Sequence, residues 1–214
     1  MKKSLLLLSI FITTILSAQT ELIQGKIISK QRLVTENEQV QAQFDMMGKM
    51  ESVTLFKNGN SFTELDNPMS GKVTTIINEE QKEMLLLMDN PAMGKLYSKQ
   101  STTPKEEDLK NTTVTKGDKT KTILGYECKE YKVSSTTNGV TSEMTLFTTE
   151  ELNIPTQQTA MLQDKVPGFP LYMEIKMNQM GIEMVVITEV KSIDEQEVKD
   201  DLFNTTPPDG YKSM

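Results

Sequence analysis

Apolar and polar residues alternate along much of the chain, the pattern of strands with one buried and one solvated face. The clearest case starts at Leu171. Leu171, Met173, Ile175 and Met177 share one face and Tyr172, Glu174 and Lys176 the other. After the turn residues Asn178–Gly181, Ile182, Met184, Val186, Thr188 and Val190 continue in phase, so Leu171–Met177 and Ile182–Ile193 are expected to form a hairpin. Val53–Phe56 and Ser61–Leu65 flank Lys57-Asn58-Gly59-Asn60, and Asn-Gly accepts the positive φ of a tight turn, which predicts a second hairpin. Lys72–Asn78 and Glu83–Met88 predict a third around Glu79–Gln81. Glu83–Met88 reads EMLLLM, apolar at both parities, and suits a central strand covered on both faces. Leu22–Ser29 and Val140–Thr148 read as further strands, with a turn at Asn138-Gly139. Thr120–Ser134 reads as one bent strand or as two.

Helical signals are few. Thr103-Pro104-Lys105-Glu106 has capping-box spacing with proline at the first helical position, predicting a turn or two that end near Asn111. Thr156–Gln163, ended by Pro167, and Asp194–Leu202, with its acidic first turn, predict two more. Thr35–Met47 reads either as a helix with Val40, Phe44 and Met47 as its stripe, or as a polar loop or strand pair. The fold class is therefore mainly β (α+β), a single antiparallel sheet with a few short helices.

Composition narrows the compartment. Met1-Lys2-Lys3, the apolar run 4–16 and the small residues Ser17-Ala18 have the layout of a secretory signal peptide, removed after about Ala18. The run is shorter than a membrane-spanning helix needs. Residues 19–214 then form one domain, with no linker or repeat to divide it. Positions 17–20 hold no cysteine for a lipoprotein anchor, so the expectation is a soluble protein, periplasmic or extracellular. The chain carries 23 Lys and Arg against 30 Asp and Glu, a net charge of −7. Such a balance disfavours nucleic acid as a partner. A single cysteine excludes an intrachain disulfide, so the core must hold the fold. The glycosylation sequons at Asn111 and Asn204 are read as coincidental.

Candidate chemistry is sparse. The absence of histidine removes Ser-His and Cys-His nucleophile pairs and the usual zinc sites. Paired acids such as Glu106-Glu107 and Asp200-Asp201 lie in polar runs. No phosphate-cradling glycine loop and no calcium-loop spacing is present. No cofactor, catalytic residue or metal ligand is assigned, and the chain is read as non-enzymatic. Methionine stands out, with 15 residues. Met46, Met47 and Met50 cluster, as do Met173, Met177, Met180 and Met184, which raises thioether coordination of copper(I). The other readings are a core filled by methionine and an adaptable lining for apolar guests on a curved sheet.

The segment ILGYECKEYKV (123–133) holds that one cysteine. Leu124, Tyr126 and Cys128 share a parity, while Tyr131 and Val133 have the opposite one. The switch at Lys129-Glu130 predicts a β-bulge there, with Cys128 buried beside it as a small apolar residue.

Gly125-Tyr126-x-Cys128-x-x-Tyr131-x-Val133 resembles the hallmark of domain of unknown function 4412, a family of exported bacterial proteins common in Bacteroidetes. The resemblance continues through Met47–Met50, Leu55–Gly59, Phe147-Thr148-x-Glu150-x-Leu152 and Gly168–Leu171. It ends with Leu202-Phe203 and Pro208-x-Gly210-Tyr211, covering roughly residues 20–214. Where the family often has tryptophan near Phe147, this chain has none. That family is similar to the Lol-type lipoprotein carriers. The resemblance implies a strongly curved sheet or half-open β-barrel, with short helices as a lid over an apolar cavity, and partners in the cell envelope.

Three functions follow as expectations. The first is a carrier holding a lipid or other hydrophobic small molecule inside the curved sheet, with Met84, Leu86, Met88, Met173, Ile175, Met177, Met184 and Val186 as the cavity wall. The second is a structural or interaction module of the envelope whose cavity is filled by its own side chains. The third is a copper-binding protein or a hydrolase.

Overall fold

The computed structural model describes residues 22–214 other than 69–70, 105, 138–139, 161, 163–164 and 180. The expected signal peptide, the Asn138-Gly139 turn and Met180 lie outside the described residues. β1 (Gln24–Val34) is followed by helix α1 (Glu38–Met47) and five further strands. These are β2 (Met50–Lys57), β3 (Asn60–Asn67), β4 (Gly71–Asn78), β5 (Glu83–Asn90) and β6 (Gly94–Ser101). The short helix α2 (Glu106–Lys110) leads to β7 (Thr112–Ile123), β8 (Tyr126–Thr137) and β9 (Val140–Thr149). Helix α3 (Gln157–Ala160) precedes β10 (Phe169–Gln179) and β11 (Ile182–Asp194). A 3-10 turn (Asp200–Phe203) and β12 (Lys212–Ser213) complete the described elements.

All twelve described strands lie in one curved, unclosed sheet of order β12-β6-β5-β4-β3-β2-β1-β11-β10-β9-β8-β7. Two antiparallel meanders, β1–β6 and β7–β11, meet where β1 pairs with β11. Among the described residues the one parallel pairing is β12 on β6. The sheet is mainly β and antiparallel, as the alternation predicts.

The expected hairpins form in register. Lys57 pairs with Asn60 across Asn58-Gly59, both at positive φ (50° and 77°). Asn78 pairs with Glu83, and Gln179 with Ile182. β5 is covered on both faces. Met84 pairs with Ile77 on one side, while Leu85 and Leu87 pack with Ile76, Phe62, Tyr97 and Tyr211 on the other.

Other expectations change. Thr120–Ser134 is two strands, because Leu124 (φ 53°) and Gly125 (φ 88°) reverse the chain between Ile123 and Tyr126. Leu124 is therefore a half-exposed turn residue and not a strand neighbour of Cys128. β8 itself is regular against β9 from Lys129–Thr148 to Thr137–Val140. The bulge sits on its other neighbour, where Gly117–Lys119 of β7 span the gap between Lys116–Tyr131 and Thr120–Lys129 and so face Glu130 alone. On either side of the phase switch, β8 contributes to two separate buried clusters. Cys128 packs with Ile27, Phe56, Phe147, Phe169, Leu171 and Val190. Tyr131 and Val133 pack with Leu146, Leu162, Val166 and Met173.

Of the helices, the Thr35–Met47 segment resolves as α1, capped by Asn37, whose side chain accepts from the backbone N–H groups of Gln39 and Val40. Asp194–Leu202 is not a helix. β11 runs to Asp194, and Val198 is buried, with its N–H donating to Gln24 Oε1 and its carbonyl accepting from Lys57 Nζ. Those tertiary partners take the backbone groups that a helix would use itself. α2 starts at Glu106. α3 starts after Thr156, which acts as its cap: its Oγ1 accepts from Thr159 N–H and its carbonyl from Ala160 N–H.

Candidate functional site

Curvature brings β4, β3, β2, β1, β11 and β10 around one interior cavity of about 150 Å³. Alternate residues of each strand reach it: Ile77, Thr75 and Val73; Ser61, Thr63 and Leu65; Ser52 and Thr54; Ser29 and Gln31; Thr188; and Met173. Phe169 and Pro170 close one wall, and Thr156, Gln157 and Gln158 at the start of α3 cover it. The segment that leads into α3 is tied to the sheet by Ser61 Oγ, which donates to the Pro155 carbonyl at 2.8 Å.

The lining has a character that the apolar pattern did not announce. Its centre is a belt of neutral hydrogen-bonding groups: the hydroxyls of Ser29, Ser52, Thr54, Ser61, Thr63, Thr75 and Thr188 and the amide of Gln31. Among the described residues no Asp, Glu, Lys or Arg lines the cavity. Thr54 and Thr63 satisfy one another at 2.9 Å. Thr188 Oγ1 is buried without a hydrogen-bond partner among the described residues. The sequence carries a signal for this belt, since Ser29-x-Gln31, Ser52-x-Thr54 and Ser61-x-Thr63 put neutral polar residues on one parity of three neighbouring strands. Read singly, each looks like a solvent-facing position.

Strand register puts all eight residues of the expected wall on the face that looks into the cavity. Met84, Leu86 and Met88 pair with Ile77, Thr75 and Val73. Met173 pairs with Thr188, Ile175 with Val186 and Met177 with Met184. Only Met173 of the eight lines the cavity itself. Met84, Leu86 and Met88 lie one strand further, towards the β6 edge, and the Ile175 and Met177 rows extend along β10 and β11. The inner face is thus polar at its centre and apolar in two arms.

On the far side of the Pro155–Ala160 segment lies an open groove of about 590 Å³. It is bordered by the hairpin tips at Gly59 and Glu79–Lys82, by Thr102–Pro104 and by Asn153–Pro155.

Cys128 is not presented for chemistry. It is fully buried, burial pushes its thiol above the ordinary cysteine range, and its Sγ lies 3.7 Å from the Tyr126 carbonyl. Among the described residues no three Cys, Asp or Glu side chains converge as a metal site. No described helix is long and apolar enough to cross a membrane.

No curated protein matches the chain in sequence. Among solved structures it is similar to PNGF-II, at a TM-score of 0.49 and 17% identity, with 89% of this chain covered. The match spans 31% of the length of PNGF-II. It is also similar to lipoprotein LppX of Mycobacterium tuberculosis, at a TM-score of 0.35 and 8% identity, covering 83% of this chain and 90% of that one. The family profile described as domain of unknown function 4412 matches residues 39–211, most of the sheet and all of the cavity lining but Ser29 and Gln31, and the chain belongs to that family.

Proposed function

We propose that this protein is an exported, non-enzymatic carrier that holds a lipid or other hydrophobic molecule against the inner face of its sheet. The observation that carries the reading is the interior cavity, bounded by six strands and the start of α3 and flanked by two apolar arms. The inner face is only partly covered, with Leu86, Met88, Ile175, Met177 and Met184 half-buried, and such an apolar surface is one that either a ligand or the protein's own side chains must occupy. Export is supported by the leader layout of residues 1–18.

One observation favours a second reading. At about 150 Å³ the cavity is below the ~300–1,000 Å³ common for small-molecule pockets. A smaller interior suits an envelope interaction module that binds no ligand. Native mass spectrometry of the protein purified from its own envelope, followed by lipid extraction, separates the two. The carrier reading expects a co-purifying amphiphile and displacement of a fluorescent fatty acid. A ligand-free protein that binds no such probe sinks the carrier.

A further inference from the structure

We infer that the polar group of the bound molecule is uncharged: the cavity takes an amphiphile whose head carries hydroxyl, ether, ester or amide groups. The inference rests on the carrier reading above and deepens it.

The argument runs through the hydroxyl belt. An ionised head placed there would give up its hydration and meet no opposite charge, because among the described residues no Asp, Glu, Lys or Arg lines the cavity. A purely apolar guest would be equally mismatched, since it would leave buried hydroxyls unpaired. Serine and threonine hydroxyls both donate and accept, and so do the head groups of glycerides and glycosides. Thr188 marks the place most in need of a partner. Its Oγ1 is buried and unpaired, and its strand neighbours Gln31 and Met173 are one polar and one apolar residue. Ser61, by contrast, is already held by Pro155, and Thr54 and Thr63 hold each other. Leu65, Val73 and Ile77 on one side, with Phe169 and Met173 on the other, give the acyl part its apolar walls.

The test is a competition. The full chain, expressed with its own leader, is offered an equimolar mixture of monopalmitoylglycerol, palmitate and palmitoyl lysophosphatidylglycerol at neutral pH, and the retained species are read by native mass spectrometry. The expectation is a preference of ~10-fold or more for the uncharged glyceride. Thr188→Val, close in shape and lacking the hydroxyl, should narrow that preference by ~3–10-fold. Thr75→Val serves as a second variant should the first unfold. Retention of palmitate or the lysophospholipid as well as the glyceride overturns this inference and leaves the carrier standing. Retention of none of the three overturns both. An unchanged preference in both folded variants removes the belt as its source.

Discussion

Gly117 lies so close to the carboxylate of Glu130 that a β-carbon on it would stand 2.1 Å from Glu130 Oε2 and 2.7 Å from its Cδ. Glu130 is buried, and its Cγ would stand at 2.8 Å as well, so turning the carboxylate alone would not relieve the contact. Gly117→Ala is expected to cost about 1–3 kcal/mol of stability by overpacking. Adding Glu130→Ala to that variant should recover part of the loss, and the two changes should depart from additivity by more than about 0.5 kcal/mol. Urea unfolding of the two single variants and the double measures this. Additive costs would mean that the two residues do not meet.

Gly168 and Gly181 adopt nearly the same positive φ, 76° and 80°, in different surroundings. A β-carbon at Gly168 would meet the Thr149 carbonyl oxygen at 1.9 Å, whereas at Gly181 it would meet nothing within 4 Å. Gly181→Ala should therefore cost only backbone strain, about 1–2 kcal/mol. Gly168→Ala adds a clash with backbone that cannot rotate away, and about 3–5 kcal/mol is expected. Thermal unfolding of the pair gives the comparison, and equal losses would contradict it.

Tyr172 carries the clearest pH signature. Burial and the hydrogen bond that its hydroxyl donates to Glu174 push its pKa from 10 up to about 12. The folded chain holds this proton more tightly than the unfolded one, so the contribution is complete below pH ~10. It is lost between ~10 and ~12, as the unfolded phenol ionises first. Tyr172→Phe should remove that loss. Over this window the urea midpoint of the native chain should fall more steeply than the variant's, and parallel slopes would refute the assignment.

Cys128 should be inert while the protein is folded. Its thiol has no exposed surface, and burial favours the protonated form. An aromatic disulfide reagent is expected to leave it unmodified in buffer and to react completely in concentrated urea. Reaction at a free-thiol rate in the folded protein would show that the side chain is accessible.

What the sequence made legible follows from how local each cause is. Asn58-Gly59 and Asn178–Gly181 specify their hairpins within four residues, and EMLLLM announces a strand covered twice. β6 and the first half of β7 gave no such sign, since they lie near the sheet's edges with mostly exposed or half-exposed side chains and so carry little apolar alternation. The Asp194–Leu202 segment has helical charge, but Gln24 and Lys57 hold its backbone extended, and neither contact can be read locally. The parity change at Lys129-Glu130 was visible, whereas the bulge on β7 opposite Glu130 was not. The residues expected to form the wall were legible as apolar. The hydroxyl belt was not, because serine and threonine on a strand signal a site only when neighbouring strands stack them in one row.

The central position of β1 has a consequence for how the chain is made. β1 leaves the ribosome before the other strands, yet one of its two edges waits for β11, which pairs Asp194 with Lys26 across nearly the whole described length. Loop closure over such a separation is slow to nucleate. Until β11 emerges, the β1–β6 meander and the strands β7–β10 have no strand to join them. The two halves of the sheet can therefore be joined only once nearly all of the described strands have been made.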